Sequence, residues 1–377
     1  MRSGRKTVLD TVILKFASRC NLACDYCYEY AAGDASWRAK PKLASPHVFR
    51  RLGTRISEFG EETGSRHINV VMHGGEPLLV GVKRLDRLLS CLREAARPVE
   101  IKYSLQTNGT LLSPAICDIL EAHDVCVGVS LDGGPEHNVF RKDLKGRETW
   151  ERVSRAIHRL RARATNLFGG LLCVVDFDTD PEAVITALCD FDPPALDLLH
   201  PFITHDMAGA RRKELALRYG RWMNQAMRFW LSRPDFAHIS IRVFEDALQA
   251  AVSAYPRTDW FGRRSVSLLI VETDGSYDLL DQLKVIGQSS AGVRNLKKTV
   301  FDCSLLEAER IAWGLLRDAK GDVLPSDCAD CRWREICAGG HLPARYSLAR
   351  GFDNKSVYCE GIGALLDLAQ EVMRAPQ

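Results

Sequence analysis

Cys20-Asn21-Leu22-Ala23-Cys24-Asp25-Tyr26-Cys27 follows almost directly on an apolar run, Thr11-Val12-Ile13-Leu14-Lys15-Phe16. The run reads as a strand, so the three cysteines sit on the loop that leaves it. Their spacing is C-x3-C-x2-C. Three thiolates on one tight loop can each take one iron of a [4Fe–4S] cluster. The fourth iron then lacks a protein ligand and is open to a small molecule. The alternative is a zinc or structural cysteine loop, although zinc sites usually close with a second cysteine or histidine pair.

Outward from this loop, residues 11–203 alternate strand and helix. Short Val/Ile/Leu-rich strands are predicted at 11–16, 68–72, 100–106, 125–131, 171–175 and 196–199. Amphipathic helices are predicted between them at 45–59, 82–96, 114–122, 148–163 and 181–189, the first opening on Ser45-Pro46. Such βα alternation implies parallel strands with helices outside. It fits either a partial barrel or a doubly wound sheet. Beyond residue 204 the pattern changes. Helices are expected at 213–231 and 241–251, and a hairpin at 266–271 and 276–280 around Thr273-Asp274-Gly275. A cysteine-rich loop region and a terminal helix at 362–374 complete the chain.

Composition sets bounds on function. The chain has 377 residues and a net charge of +3, too weak to indicate a nucleic-acid partner. No apolar run approaches the roughly 18 residues of a membrane span, and the polar N-terminus lacks a signal-peptide pattern. No membrane association and a cytoplasmic location are the expectation. Thirteen cysteines without an export signal favour metal or catalytic roles over disulfides. Six of them, Cys91, Cys117, Cys126, Cys173, Cys189 and Cys303, are scattered and read mostly as small buried hydrophobes.

Further motifs stand at successive strand ends. His73-Gly74-Gly75-Glu76-Pro77 follows the second strand, Gln106-Thr107-Asn108-Gly109 the third and Ser130-Leu131-Asp132-Gly133 the fourth. With the cysteine loop, they resemble the signature of the radical S-adenosylmethionine (SAM) superfamily. The resemblance implies an α/β fold built as a partial (β/α)6 barrel. It implies that the amino and carboxylate groups of SAM chelate the open iron beside Cys20, Cys24 and Cys27. One-electron reduction then yields methionine and a 5′-deoxyadenosyl radical. Gly74 and Gly75 would let backbone approach SAM, and Glu76 would accept from its ammonium. Asn108 and Ser130 would line the site, with Ser130 at the ribose, Arg141 at the SAM carboxylate and Tyr26 near adenine. Ser130 and Arg141 also read as a strand-end cap and a solvated charge.

The C-terminal cysteines are Cys328, Cys331, Cys337 and, 21 residues on, Cys359. Four thiolates can close a [4Fe–4S] cluster or a zinc site. The arrangement resembles the SPASM domain of radical SAM peptide-modifying enzymes, which implies an auxiliary [4Fe–4S] cluster on these four residues. The family's second auxiliary cluster needs cysteines that are absent here: His341 and Leu280 stand at two of its positions. One auxiliary cluster is therefore expected. Asp281 matches an aspartate that serves as a base in sulfatase-maturating relatives, and also reads as a solvated hairpin residue.

The organisation expected is a barrel at 1–205, a helical bridge at 206–262 and a SPASM-like domain at 263–377. Segments including Ser36-Trp37-Arg38-Ala39, Val271-Glu272-Thr273-Asp274-Gly275 and Gly351-Phe352-Asp353-Asn354 resemble the FxsB-like group of cyclophane-forming maturases. This implies a ribosomally made precursor peptide as substrate, a C–C crosslink from a side-chain Cβ to an aromatic ring within three residues, and an electron donor such as flavodoxin or ferredoxin. Epimerisation, thioether formation or formylglycine-type oxidation are the alternative fates, and a non-catalytic iron–sulfur or zinc protein is the alternative of another class. With the first strand near residue 11, no separate leader-binding domain is expected before the barrel.

Overall fold

The computed structural model describes residues 9–163, 167–252, 261, 268–320 and 324–374. Six parallel strands form its centre: β1 (Thr11–Ala17), β2 (His67–Gly74), β3 (Glu100–Thr107), β4 (Cys126–Ser130), β5 (Phe168–Val174) and β6 (Ala195–Leu199). They pair in sequence order, with Leu14 opposite Met72 and Leu105 opposite Val127. Helices α1 (Pro46–Thr63), α2 (Val82–Ala95), α3 (Pro114–Ala122), α4 (Trp150–Arg161) and α5 (Pro181–Cys189) connect them. Three of these helices start alike. Ser45 Oγ accepts from Val48 N at 3.4 Å, Ser113 Oγ from Ile116 N at 3.3 Å and Asp180 Oδ1 from Glu182 N at 3.3 Å, and proline follows each cap. The cap satisfies one orphan amide and proline costs none, so these boundaries were legible locally.

The sheet does not end with the six strands. Its order is β10-β9-β8-β1-β2-β3-β4-β5-β6-β7, with β7 (Ser240–Ile241), β8 (Leu268–Val271), β9 (Ser276–Asp278) and β10 (Asn295–Thr299). β8 runs parallel to β1, with Thr11 opposite Leu268 and Leu14 opposite Val271. The expected hairpin therefore extends the barrel sheet across the boundary placed at residue 263; its first two expected residues, 266 and 267, lie outside the described residues. β10 and the helix Leu305–Lys320 were not expected. β10, Asn-Leu-Lys-Lys-Thr, is too polar to read as a strand. The helix carried a usable signal: Leu305, Ala308, Ala312 and Leu316 recur at three and four residues and are buried.

The terminal helix Cys359–Arg374 packs on the helices Arg212–Leu231 and Arg242–Val252. Gly220 and Gly361 meet at this crossing, where a Cβ on Gly220 would stand 2.7 Å from the Gly361 Cα. Only glycine permits so close an approach. It anchors the segment bearing Cys359 to the barrel side of the molecule. Among the scattered cysteines, Cys117, Cys173, Cys189 and Cys303 are buried and Cys91 half-buried. Cys126, the first residue of β4, is exposed, contrary to expectation.

Candidate active site

The cysteine loop is held from two sides. Ala23 N donates to Lys142 O at 2.8 Å and Asp25 N to Phe140 O at 3.2 Å. These bonds bracket Arg141 and bring it beside the loop, 114 positions or more along the chain from the cysteines. On the other side, Asn108 Nδ2 donates to Asn21 Oδ1 at 2.9 Å and lies 3.7 Å from Cys20 Sγ. Asn108 Oδ1 accepts from Thr110 N at 3.0 Å, which fixes the amide's orientation.

Gly74 and Gly75 let the second loop close on this one. Gly74 has φ +145° and its missing Cβ would meet Ala17 O at 2.2 Å. A Cβ on Gly75 would meet Tyr30 Oη at 1.9 Å and Arg19 O at 2.4 Å. Gly75 N donates instead to Ala17 O at 2.9 Å.

A cavity of about 350 Å³ opens between these loops. Cys20, Cys24, Cys27, Tyr26, Gly74, Gly75, Asn108, Ser130 and Arg141, all expected in the site, lie on its wall. Gln106 donates from Nε2 to Ser130 Oγ at 2.8 Å. Arg141 Nη1 donates to Tyr26 Oη at 2.6 Å, and Tyr26 in turn donates to Asp132. Burial disfavours the Arg141 charge, but Tyr26 and Asp132 more than offset it, and the guanidinium stays protonated. Asp132 had been quoted only as part of its motif; its role in holding Tyr26 and Arg141 appears only in three dimensions.

Glu76 stands just behind the site. It is fully buried and absent from the cavity wall. Its Oε1 accepts from Leu78 N at 3.0 Å and Thr107 Oγ1 at 2.8 Å, and its Oε2 from Asn108 N at 2.9 Å. The carboxylate thus clamps the end of β3 to the loop after β2.

The donor set fits a SAM-binding cluster. Three thiols share one wall with the unpartnered Nε of buried Arg141, a donor awaiting an anionic group. Burial pushes Cys20 up to about 12 and Cys24 up to about 11, so without a cation these thiols stay protonated, and metal loading replaces their protons. Cys328, Cys331, Cys337 and Cys359 also converge: burial and then the other three thiols raise Cys337 to about 12. Among the described residues, no three His, Cys, Asp or Glu side chains gather closely enough to share one metal ion. Ligands around a single zinc stand about 2.3 Å from it, whereas a cubane spreads its thiolates over separate irons.

The far wall carries Asp197, His200, Phe202, Arg242, Asp281 and His341. His341 packs 5.2 Å from Phe202 and 5.7 Å from His200, ring centre to ring centre. Leu280 is buried in the apolar core. Asp281 is not solvated: it pairs with Lys15 and, at 3.1 Å, with Lys284. Burial alone would raise its carboxyl, but the two ammonium groups overturn that and hold it well below the usual range. So held, Asp281 stands on the wall as an anion.

Comparison with known proteins agrees with this geometry. Residues 14–186 match the radical SAM superfamily. The chain is 27% identical over 341 residues to a serine-type anaerobic sulfatase-maturating enzyme of Klebsiella aerogenes, covering 88% of this chain and 78% of that one. It is 24% identical over 375 residues to a cysteine-type anaerobic sulfatase-maturating enzyme of Clostridium perfringens, covering 96% of each. The solved structure of anSMEcpe with bound AdoMet superposes with a TM-score of 0.81 at 24% identity, covering 97% of each chain. SuiB of Streptococcus suis, bound to its precursor peptide SuiA, gives 0.58 at 15% identity over 89% of this chain and 72% of that one. No helix among the described residues is long and apolar enough to cross a membrane. The α/β architecture, the cysteine loop at the end of β1 and the match over residues 14–186 agree with one another: this stretch carries a radical SAM domain, the setting of an enzyme that works with SAM and [4Fe–4S] clusters.

Proposed function

We propose that this enzyme is a peptide maturase that oxidises a side chain of a peptide at Cβ. The observation that carries the reading is a cavity of about 350 Å³ lined by Cys20, Cys24, Cys27 and Arg141 and also by the polar and aromatic side chains of Tyr28, Asp197, His200, Phe202 and Asp281. The sulfatase-maturating relatives, which match along most of their length, support a peptide substrate and a formylglycine-type oxidation. Cys20, Cys24 and Cys27 would hold the SAM cluster; Cys328, Cys331, Cys337 and Cys359 would hold one auxiliary cluster. Bound there, SAM and its cluster supply a carbon radical able to take a hydrogen atom from a substrate C–H. The chain's own contribution is placement. Arg141, fixed by Tyr26 and Asp132, orients an anionic group, and Ser130 and Asn108 present polar edges. Asp197, Arg242 and Asp281 line the peptide side. The oxidation also needs a one-electron donor, for which a flavodoxin or ferredoxin is proposed.

Crosslinking to an aromatic ring, the cyclophane fate expected from the resemblance, is the second reading. The sulfatase-maturating relatives do not support it; the aromatic lining of Tyr28, His200, Phe202 and His341 favours it. Anaerobic reconstitution with SAM should yield 5′-deoxyadenosine, and absence of that product from a fully loaded enzyme rejects the reading. Mass spectrometry of a co-expressed precursor separates the fates. Oxidation of serine and crosslinking both remove two hydrogens, but only the first creates a carbonyl that reacts with hydroxylamine; epimerisation leaves the mass unchanged.

A further inference from the structure

Behind the far wall, two lysines and two carboxylates close a ring of alternating charge. Lys15 Nζ pairs with Glu29 Oε2 at 3.4 Å, and Glu29 Oε1 with Lys284 Nζ at 2.6 Å. Lys284 pairs with Asp281 Oδ1 at 3.1 Å, and Asp281 Oδ2 closes the ring on Lys15. Glu272 adds a second carboxylate to Lys284 at 3.1 Å. All five side chains are at most 7% exposed.

The ring is sided. Glu29 and Asp281 lie on the cavity wall, whereas Lys15, Lys284 and Glu272 do not. The cavity therefore meets acceptors, and the ammonium groups stand behind them. Two buried lysines are costly to desolvate and are tolerated only when paired. Strand β1 spends one of its inward positions on Lys15, between Leu14 and Phe16, where an apolar residue would pack without this cost. No local need explains that choice, since Lys15 reaches residues 14, 58 and 266 positions away.

We propose that Lys15 and Lys284 are positioning residues that hold Asp281 as an anion on the cavity wall, where it accepts a hydrogen bond from a hydroxyl, thiol or ammonium group of the bound peptide. The proposal rests on the peptide-maturase reading for its ligand, but not for the role of the lysines. Six groups face Asp281. They are Lys15 on β1, Tyr28 and Glu29 on the cysteine loop, His73 on β2, Glu272 after β8 and Lys284 on its own turn; burial and then Asp281 raise the Tyr28 hydroxyl, which stays neutral. Burial, and then Lys15, pushes His73 down to about 3, so it is neutral and adds no charge above that. The balance at Asp281 is thus between burial, which favours the protonated acid, and two ammonium groups, which favour the anion. Removing either lysine tips it towards the acid.

Difference infrared titration of the reconstituted holoenzyme, with Asp281→Asn to assign the band, reads this directly. In the unaltered enzyme, Asp281 should show no protonated-carboxyl band down to the ordinary aspartate value of about 3.9. In Lys15→Met or Lys284→Met, the band should appear above that value. A protonated Asp281 at or above about 3.9 in the unaltered enzyme, or no change in either lysine variant, overturns the positioning role. Lysines that only support the fold would lower thermal stability without moving the band. The acceptor role is read by binding of two capped tripeptides, Ala-Ser-Ala and Ala-Ala-Ala, to the SAM-loaded holoenzyme. Loss of a hydrogen bond to a charged group should weaken binding by about tenfold or more, and Asp281→Asn should abolish the preference. Equal binding of the two peptides overturns the acceptor role and leaves the peptide reading standing. If neither peptide binds, both fall, while the infrared result still decides what the lysines do.

Discussion

Arg141 Nη1 stands 2.6 Å from Tyr26 Oη, so a residue of the cysteine loop and one far along the chain share a hydrogen bond on the cavity wall. Tyr26 passes its own proton towards Asp132, which also accepts from Val174 N at 3.0 Å. The guanidinium is therefore aimed, with Nε left for a ligand. Arg141→Lys keeps the charge but loses the planar fork. It should weaken SAM binding by about 1.5–3 kcal/mol, on the order of 10- to 100-fold. Equilibrium dialysis with SAM checks this, and unchanged affinity would remove Arg141 from the SAM site.

Cys24→Ala removes one of three thiols from the loop. A cluster with two ligands is not retained, and 5′-deoxyadenosine formation should drop to background. Retained cleavage would sink the assignment of the SAM-binding cluster to this loop.

Iron analysis of the loaded enzyme should find about eight irons per chain, four at each cysteine set. His341 on the aromatic wall and Leu280 in the core leave a third set without ligands. A count near twelve would show that other residues supply one.

Cys331→Ala acts at the auxiliary set alone. Cleavage of SAM without peptide should persist, while peptide product should fall by at least about tenfold if that cluster takes up the electron released by oxidation. Product formation at the original rate would mean that the auxiliary cluster has no part in turnover.

Glu76→Gln tests the clamp between the β2 loop and β3. The amide turns a donor towards Asn108 N or Leu78 N, leaving a buried donor without a partner. The fold should lose about 1–3 kcal/mol in urea denaturation. Full stability combined with lost SAM affinity would instead restore the ammonium contact read from the motif.

Much of this enzyme was legible in its residues alone. Periodicity and the capping pair Ser45-Pro46 located the βα units, and Ser113-Pro114 and Asp180-Pro181 carry the same signal, because helix starts and strand periods are set by neighbours within a few residues. The cysteine spacings marked both cluster sites, because one loop must supply several ligands at once. Two local signals went unused: the period of Leu305, Ala308, Ala312 and Leu316, and Lys15 within Val12-Ile13-Leu14-Lys15-Phe16, a charge in an otherwise buried strand.

What remained was decided by contacts between distant parts of the chain. Asp281 looked like a solvated turn residue or a base, and became an ion-paired acceptor only when Lys15, Glu29 and Lys284 met it. Glu76 reads as a ligand contact in its motif, and only the fold shows that β3 brings Thr107 and Asn108 to its oxygens as well. The hairpin looked like the start of a separate domain until β8 paired with β1. Sequence patterns record what a residue prefers beside its neighbours; burial, pairing and the sign of a pKa shift depend on which side chains the folded sheet brings to the same place.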